Sequence, residues 1–294
     1  MSDFVQQQSV ECRFDSSDSW VILSPIEQSI KRKIESVGTP LKDWDIQINY
    51  GIKTGFNDAF IINTEKRNEI LDNCSSEEER TKTAELIRPI LRGRDIKRYG
   101  YDWANLWLIN THNGIKGVKP RIDINDYPAV KAHLDQYWDK ISKRADKGDT
   151  PYNLRNCAYL DDFFKPKVMW KIIGCNINFS FDDGTMICNN AVDIMTGQRN
   201  QLLQFLGLMN SKLFDWYLKL TTEAEVQGGG IQLYVTTLEK TLVKLDFPLY
   251  LSEIINQRVN GIASDKEVDN TIFESYNLTQ EEIDYILTCK QVDR

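Results

Sequence analysis

Long apolar runs are missing from this 294-residue chain. None approaches the ~20 residues that a membrane span needs, and the polar start Met1-Ser2-Asp3 lacks a signal-peptide pattern. The expected location is therefore the cytoplasm. Histidine is scarce, at two residues, and the six cysteines (Cys12, Cys74, Cys157, Cys175, Cys188 and Cys289) are scattered without a CxxC pair. That spacing argues against a zinc site and against a disulfide framework, and the cysteines read as reduced, mostly buried thiols. The order GxxxxGK[ST] does not occur, so Gly51-Ile52-Lys53-Thr54-Gly55 is no nucleotide-hydrolysing loop.

What is present suits a folded, soluble body. Hydrophobic residues make up 41% of the chain, with seven Trp, twelve Tyr and twelve Phe, enough to bury a substantial core. A net charge of −7 argues at first against a polyanionic partner, but the charge is unevenly spread. Between Arg88 and Lys171 there are 17 Lys and Arg against 10 Asp and no Glu, a local balance of +7 that leaves −14 for the remainder. The run Ile87 to Tyr99 puts five cations within eleven residues, beside Pro89 and Gly93. Pro89 pushes Arg88 out of helical space, and Gly93 permits a sharp turn or a close approach. Arg92 and Arg94 flank that turn as guanidinium forks able to meet phosphate oxygens or a guanine edge. A solvated loop paired with the acidic helix before it is the competing reading, and the residues alone leave both open.

The pattern predicts an α+β fold, a mixed β-sheet body with a helical C-terminal portion. Trp20 to Leu23 reads as a short strand. Ser24-Pro25-Ile26-Glu27 is a capping box opening a helix with Ile26, Ile30 and Ile34 on one face and a stop at Gly38. Residues Trp44 to Tyr50 and Ala59 to Ile62 read as a hairpin-like strand pair. Ser75 and Glu78 open a short acidic helix to Leu86, and Tyr101 to Ile109 is a strand delivering Asn110-Thr111-His112-Asn113-Gly114 into a turn. A long helix is expected from Pro128, with Val130, Leu134, Tyr137 and Ile141 on one face, ending in Lys143-Arg144-Ala145-Asp146-Lys147-Gly148. Phe163 to Trp170 reads as a strand, and Ile177 to Asp193 as two strands around an Asp182-Asp183-Gly184 turn. Two helices broken near Asn210-Ser211 follow, then a Gly228-Gly229-Gly230 loop, a strand Ile231 to Val235 and helices from Pro248 on, the last capped at Thr279.

Taken in order, several blocks resemble one family. Gly51 to Phe60, Ile87 to Tyr99, Trp107 to Gly114, Tyr127-Pro128-Ala129-Val130, Lys143 to Gly148, Pro151-Tyr152-Asn153-Leu154-Arg155 and Leu208 to Lys212 are similar to the TaqI-like C-terminal specificity domain of bifunctional restriction-modification methylases. An ordered series of blocks is more specific than any one of them. The resemblance covers roughly residues 20 to 290; with the polar start read as a linker or disordered segment over 1–19, the expected division is a DNA target-recognition domain over 20–250 and a C-terminal helical segment over 251–294. Asn57-Asp58-Ala59-Phe60 superficially resembles the tetrapeptide with which amino methyltransferases hold an extruded adenine, but it lacks both prolines and reads as turn chemistry. With no FxGxG-like turn to seat S-adenosylmethionine either, the expectation is a specificity part that follows a methyltransferase domain and runs to the family's C-terminus.

The resemblance implies double-stranded DNA as partner, and a methyltransferase catalytic domain in the same or a separate chain. No cofactor is expected in this chain. S-adenosylmethionine, and magnesium if a nuclease is attached, would belong to the full-length enzyme. Candidate DNA-binding residues are Lys53, Thr54, Arg88, Arg92, Arg94, Lys97, Arg98, Lys143, Arg144, Lys147 and Arg155 as phosphate positioners, Arg94 also as a guanine reader, and Asn113 and Asn153 as possible base readers. No catalytic or metal-binding residue is expected. The competing functions are an independent metal-dependent nuclease and an interaction module for a separate methylase subunit.

Overall fold

Helices and mixed sheets form an α+β fold in the computed structural model, which describes residues 23–174, 178–221, 225–226, 230–244 and 247–289. They divide into two compact units that interleave along the sequence. One holds Ile46–Ile172 and Asn178–Leu206; the other holds the described residues up to Asp45, Ile173 and Gly174, and those from Gly207 on. The expected boundary near residue 250 thus falls inside the second unit.

The unit built on Ile46–Ile172 contains two four-stranded sheets. In the first, the order is Ile46–Tyr50, Val192–Gly197, Lys167–Lys171, Phe179–Asp182, all antiparallel. In the second it is Ile61–Asn63, Leu106–Ile109, Ile87–Leu91, Ile187–Cys188, the last pairing parallel. Aliphatic side chains from both sheets, among them Ile87, Ile90, Leu108, Met169 and Ile194, join Val130 and Leu134 in one buried cluster. Each such side chain contributes about 1.5–3 kcal/mol by leaving water.

Several expectations need correction. Ile46–Tyr50 and Ile61–Asn63 are strands of different sheets, because Asn57–Phe60 coils into a helical turn between them. The stretch after Ile177 is no simple hairpin either: Phe179–Asp182 pairs with Lys167–Lys171, and Ile187–Cys188 crosses to the other sheet. The long helix from Pro128 breaks into Pro128–Asp135 and Trp138–Ile141. At the break, Gln136 and Tyr137 donate to carbonyls three residues back, at 3.3 and 3.0 Å. The acidic helix starts one residue later than read. Ser76 is its cap, and Glu79 reaches back to the Ser75 backbone at 2.8 Å and across to the Ala129 N–H at 2.9 Å. The strand before Trp170 begins at Lys167, after a turn of 3-10 helix over Leu160–Phe164.

In the other unit, the Pro25–Val37 helix has the full Ser24–Glu27 capping box and buries Ile30 and Ile34. Gly38–Pro40 pairs with Leu242–Lys244. The helix pair around Asn210 is as read: Arg199–Met209, whose residues up to Leu206 belong to the first unit, and Lys212–Thr221. Three further helices follow at Leu249–Val259, Asp265–Ser275 and Gln280–Thr288, the last two opened by capping boxes at Ser264 and Thr279. The last helix is tied to the first by Lys33 and Ser29, which both donate to Glu282 at 2.7 Å. The expected strand at Ile231 to Val235 is Gly230–Gln232, and Val235 instead begins a helix. Residues Trp20, Val21, Ile22, Gly228 and Gly229 lie outside the described residues. No helix among the described residues is long and apolar enough to cross a membrane. Of the four cysteines described as free thiols, Cys188 is fully buried while Cys74, Cys157 and Cys289 are partly exposed.

Candidate nucleic-acid interface

Three of the blocks singled out in the sequence meet around one side chain. Arg144 is 7% exposed, and its guanidinium donates to four backbone carbonyls: Thr54, Asp146 at 2.7 Å, Pro151 at 3.1 Å and Asn153 at 2.5 Å. It also lies over the Phe60 ring, 4.4 Å from the centroid. Burial lowers its pKa to about 10, still well above neutrality, so the group stays a cation and an obligate donor. Arg144 is therefore an internal brace joining the Gly51–Phe60 and Lys143–Arg155 loops, not a cation presented to phosphate. Gly55 allows that approach: it sits at φ +70°, and a Cβ there would lie 2.6 Å from the Asp146 carbonyl oxygen.

Thr54 and Asn153 are reassigned in the same way. Thr54 is buried and its hydroxyl donates to Asn57 at 2.6 Å. Asn153 is buried; its amide donates to the Ile122 carbonyl at 2.9 Å and its oxygen accepts from Thr150 at 2.6 Å. An amide with both ends engaged has nothing to offer a base edge. Asn113 is also engaged, accepting from the Asp149 N–H at 2.8 Å and donating to the Asp149 carboxylate at 3.0 Å and to Asn156. These polar residues fix the geometry of the loops.

The other candidate cations of these two loops point outward. Lys53 and Lys143 are exposed. Lys147 is exposed with its ammonium on the Ser142 carbonyl at 2.7 Å, and Arg155 forms an exposed ion pair with Asp146 at 3.1 Å. Pairs of this kind are worth about 0–1 kcal/mol, so such a cation can exchange its carboxylate for a phosphate at little cost.

The basic run after Leu86 is half sheet and half turn. Ile87–Leu91 is an inner strand, tolerating Pro89 because its parallel neighbour meets it only at Ile90 and Leu91. Arg88, in that strand, places its guanidinium 5.2 Å from the Phe164 ring centroid. Arg92 forms a two-pronged pair with Asp95, at 3.0 and 2.8 Å, and its own N–H donates to the same carboxylate at 2.8 Å. Burial raises the Asp95 pKa, but these bonds more than offset it and hold the carboxyl below its usual range. Arg92 thus stiffens the turn rather than reaching from it. Arg94 and Lys97 are exposed, Lys97 lying 3.7 Å from Asp102, and Arg98 is half-buried with its guanidinium 5.7 Å from the Tyr99 ring. This turn follows the strand whose Leu91 carbonyl accepts from the Asn189 N–H, and its Tyr99 N–H donates to the Phe179 carbonyl at 2.8 Å, so its backbone partners are these strands rather than the Arg144 knot.

Asp182 and Asp183 have separate structural tasks. Lys167 and Asp182 form a fully buried pair at 2.5 Å. Asp182 also accepts from Thr185 Oγ1 at 2.6 Å, from Tyr101 at 3.1 Å and from the N–H groups of Gly184, Thr185 and Met186. Burial pushes the carboxyl up, yet the Lys167 charge and these donors prevail, and its pKa is lowered. Asp183 pairs with Arg199 on the surface.

One basic feature escaped the sequence reading. Ile115 and Lys119 pair through their backbones, at 2.8 and 2.9 Å, and close a tight hairpin whose tip is Lys116-Gly117-Val118. With Lys119 and Arg121 it walls a cleft of about 830 Å³ facing Asp149 and Asn156. A usable signal was present: the twenty residues between Asp102 and Asp123 contain no acidic side chain.

The chain belongs to the TaqI-like C-terminal specificity domain family, whose model matches residues 88–241. Among solved structures it resembles the type IIL restriction-modification enzyme MmeI in complex with DNA, with a TM-score of 0.56 and 15% identity over 84% of this chain and 35% of that one. It also resembles the type IIG restriction endonuclease BpuSI, with a TM-score of 0.59 and 14% identity over 89% of this chain and 31% of that one. At such identities the likeness is one of fold. The chain spans about a third of the length of either enzyme. No curated protein matches it.

Proposed function

We propose that this chain is the DNA target-recognition part of a restriction-modification enzyme. It would select the short duplex sequence on which a separate catalytic domain, in the same or another chain, transfers a methyl group from S-adenosylmethionine to adenine N6. An attached nuclease would act on the same choice of site. The carrying observation is the match of a specificity-domain family over Arg88 to Thr241, the part of the chain that includes the acid-poor, cation-rich segment. Internal braces support the reading, because Arg144, Asn153 and Asn113 hold their loops while leaving Lys53, Lys143 and Lys147 exposed, and the Arg92–Asp95 pair holds its turn while leaving Arg94 and Lys97 exposed. Loops held in this way can present cations in fixed register to a phosphate backbone, which positions a protein without itself conveying sequence.

The experiment is a salt titration of duplex binding by the 294-residue chain. Neutralising ~4 to 6 phosphates should give a slope of log affinity against log salt of roughly −4 to −5, from about −0.9 per phosphate. A slope near zero, or no binding at low salt, overturns the reading.

A further inference from the structure

We infer that the Gly114–Arg121 hairpin is the element that enters a DNA groove, with Val118 at its tip packing against a thymine methyl group and Lys116 beside it on the backbone. This rests on the DNA-recognition reading above and deepens it by naming the groove and the reading residue.

Four observations carry it. The hairpin is a tight turn closed by one backbone bridge between Ile115 and Lys119, narrower than the two-stranded ribbons that the major groove admits. Its tip carries an exposed aliphatic side chain among cations: Val118 is 77% exposed, while Ile115 at the stem is packed against the core. Lys116, two residues before it, is exposed, and Lys119 and Arg121 pair only at the surface, with Asp161 at 3.2 Å and Asp149 at 3.5 Å. An apolar tip ringed by cations, in a twenty-residue stretch without acids, matches a groove that carries methyl groups between two rows of phosphates.

The stem, moreover, is rigidly founded. Gly114 sits at φ +74°, where a Cβ would lie 2.5 Å from the Lys119 carbonyl oxygen and 2.6 Å from the Arg121 nitrogen. Its N–H donates to His112 Nδ1 at 3.1 Å. The Ile122 N–H donates to the His112 carbonyl at 3.1 Å, and Asn113 fastens the base to Asp149 and Asn156. A tip that is disordered before binding must be ordered at a cost on binding, whereas this one is held in place beforehand. The amide that looked like a reader in the sequence is instead what aims the reader.

The test begins with the whole chain and a pool of randomised duplexes, from which bound sequences are selected and their affinities measured. Val118→Ala should weaken selected duplexes by about tenfold, the scale expected for removing one or two packed methyl groups, while changing unselected duplexes less than twofold and leaving the salt slope alone. Replacing one thymine of the selected site by deoxyuracil should cost the wild type a similar factor and cost Val118→Ala nothing further. Lys116→Ala should flatten the slope by about 0.9 on every duplex. If wild type binds and selects duplexes but Val118→Ala matches it within twofold, or every deoxyuracil substitution is neutral, the hairpin assignment is wrong and the DNA reading survives. If the wild-type chain retains no duplex at low salt, both fall. Because Val118 is at an exposed tip, its truncation does not threaten folding.

Discussion

The Lys143–Arg155 loop and the Gly114–Arg121 hairpin are both basic, both close to Asp149, and opposite in what they do with their charge. In the loop, Arg144 turns inward because the chain from Thr54 and from Asp146 to Asn153 presents four carbonyl oxygens to one point. Water cannot serve all of them there, and a planar guanidinium can. In the hairpin, Ile115 and Lys119 satisfy each other's backbone groups and a neutral amide, Asn113, fixes the base, so the cations have no internal carbonyl to serve. What decides whether a basic residue is structural or available is the local supply of unpaired acceptors, which composition does not reveal.

The sharpest way to break that comparison is to remove the inward cation. Arg144→Ala should destabilise the protein by about 3–5 kcal/mol, since it strands buried carbonyls and opens a cavity over Phe60. Arg144→Lys should recover little, because one ammonium cannot span the four acceptors. Denaturant midpoints measure the loss, and the salt slope of the remaining folded protein should be unchanged. A variant with normal stability but a flatter slope would make Arg144 a phosphate contact after all.

A second buried charge predicts a pH dependence. Asp193, in the strand between Ile46–Tyr50 and Lys167–Lys171, is almost wholly buried and its Oδ1 has no hydrogen-bond partner. Desolvation pushes its pKa up to about 7. In the unfolded chain the carboxyl ionises near pH 4, so between those values the folded state holds a proton that the unfolded state has lost. This group therefore makes stability fall as pH rises from about 4 to 7 and level off above. The carboxyls of Asp95 and Asp182 act in the opposite sense, losing stability only as pH drops through their lowered range. Asp193→Asn should remove the decline and be more stable than wild type at alkaline pH by about 2 kcal/mol. Urea titrations across the pH range decide it, and parallel profiles for the two proteins would show that Asp193 is ionised in the fold.

Much of the architecture was legible where local chemistry acts alone. The Ser24 and Thr279 capping boxes, the apolar stripe of the first helix and the break at Asn210 follow from short-range spacing, and the structure has all of them. Strand partners were not legible, because alternation gives a strand its faces but not its neighbours; Ile46–Tyr50 finds its partner nearly 150 residues away. The candidate interface suffered from the same blindness. Arg144 and Lys143 are adjacent and equally basic, yet one is buried and one exposed, and the difference lies in carbonyls brought from Thr54, some 90 residues earlier. Asn113 and Asn153 are amides in loops, a placement that suits base reading and cross-linking of two loops equally, and both cross-link. Val118 carries no charge and so stands out in no charge count.

The smallest predicted effects sharpen the outward half of the comparison. Lys97, Lys143 and Lys147 are exposed, and each is bound to the protein by no more than a carbonyl contact or a long ion pair. Replacing any one with Ala should leave stability within about 0.5 kcal/mol. If all three lie on phosphates, each replacement should weaken binding to every duplex alike and flatten the salt slope by about 0.9. Arg94 has a second option. On a guanine edge its loss would relax one position of the selected sequence and cost ~1 to 3 kcal/mol there, with little effect on unselected duplexes; on a phosphate it would behave as the lysines do. The four variants, measured on selected and unselected duplexes over a range of salt, separate three cases. A uniform loss with a flatter slope identifies a phosphate contact, and a loss confined to one position identifies a reader. A variant with neither change has a side chain that remains in solvent in the complex. If all three lysines behave in that last way, exposure alone does not make a cation available to DNA, and the contrast between the loop and the hairpin loses its functional meaning.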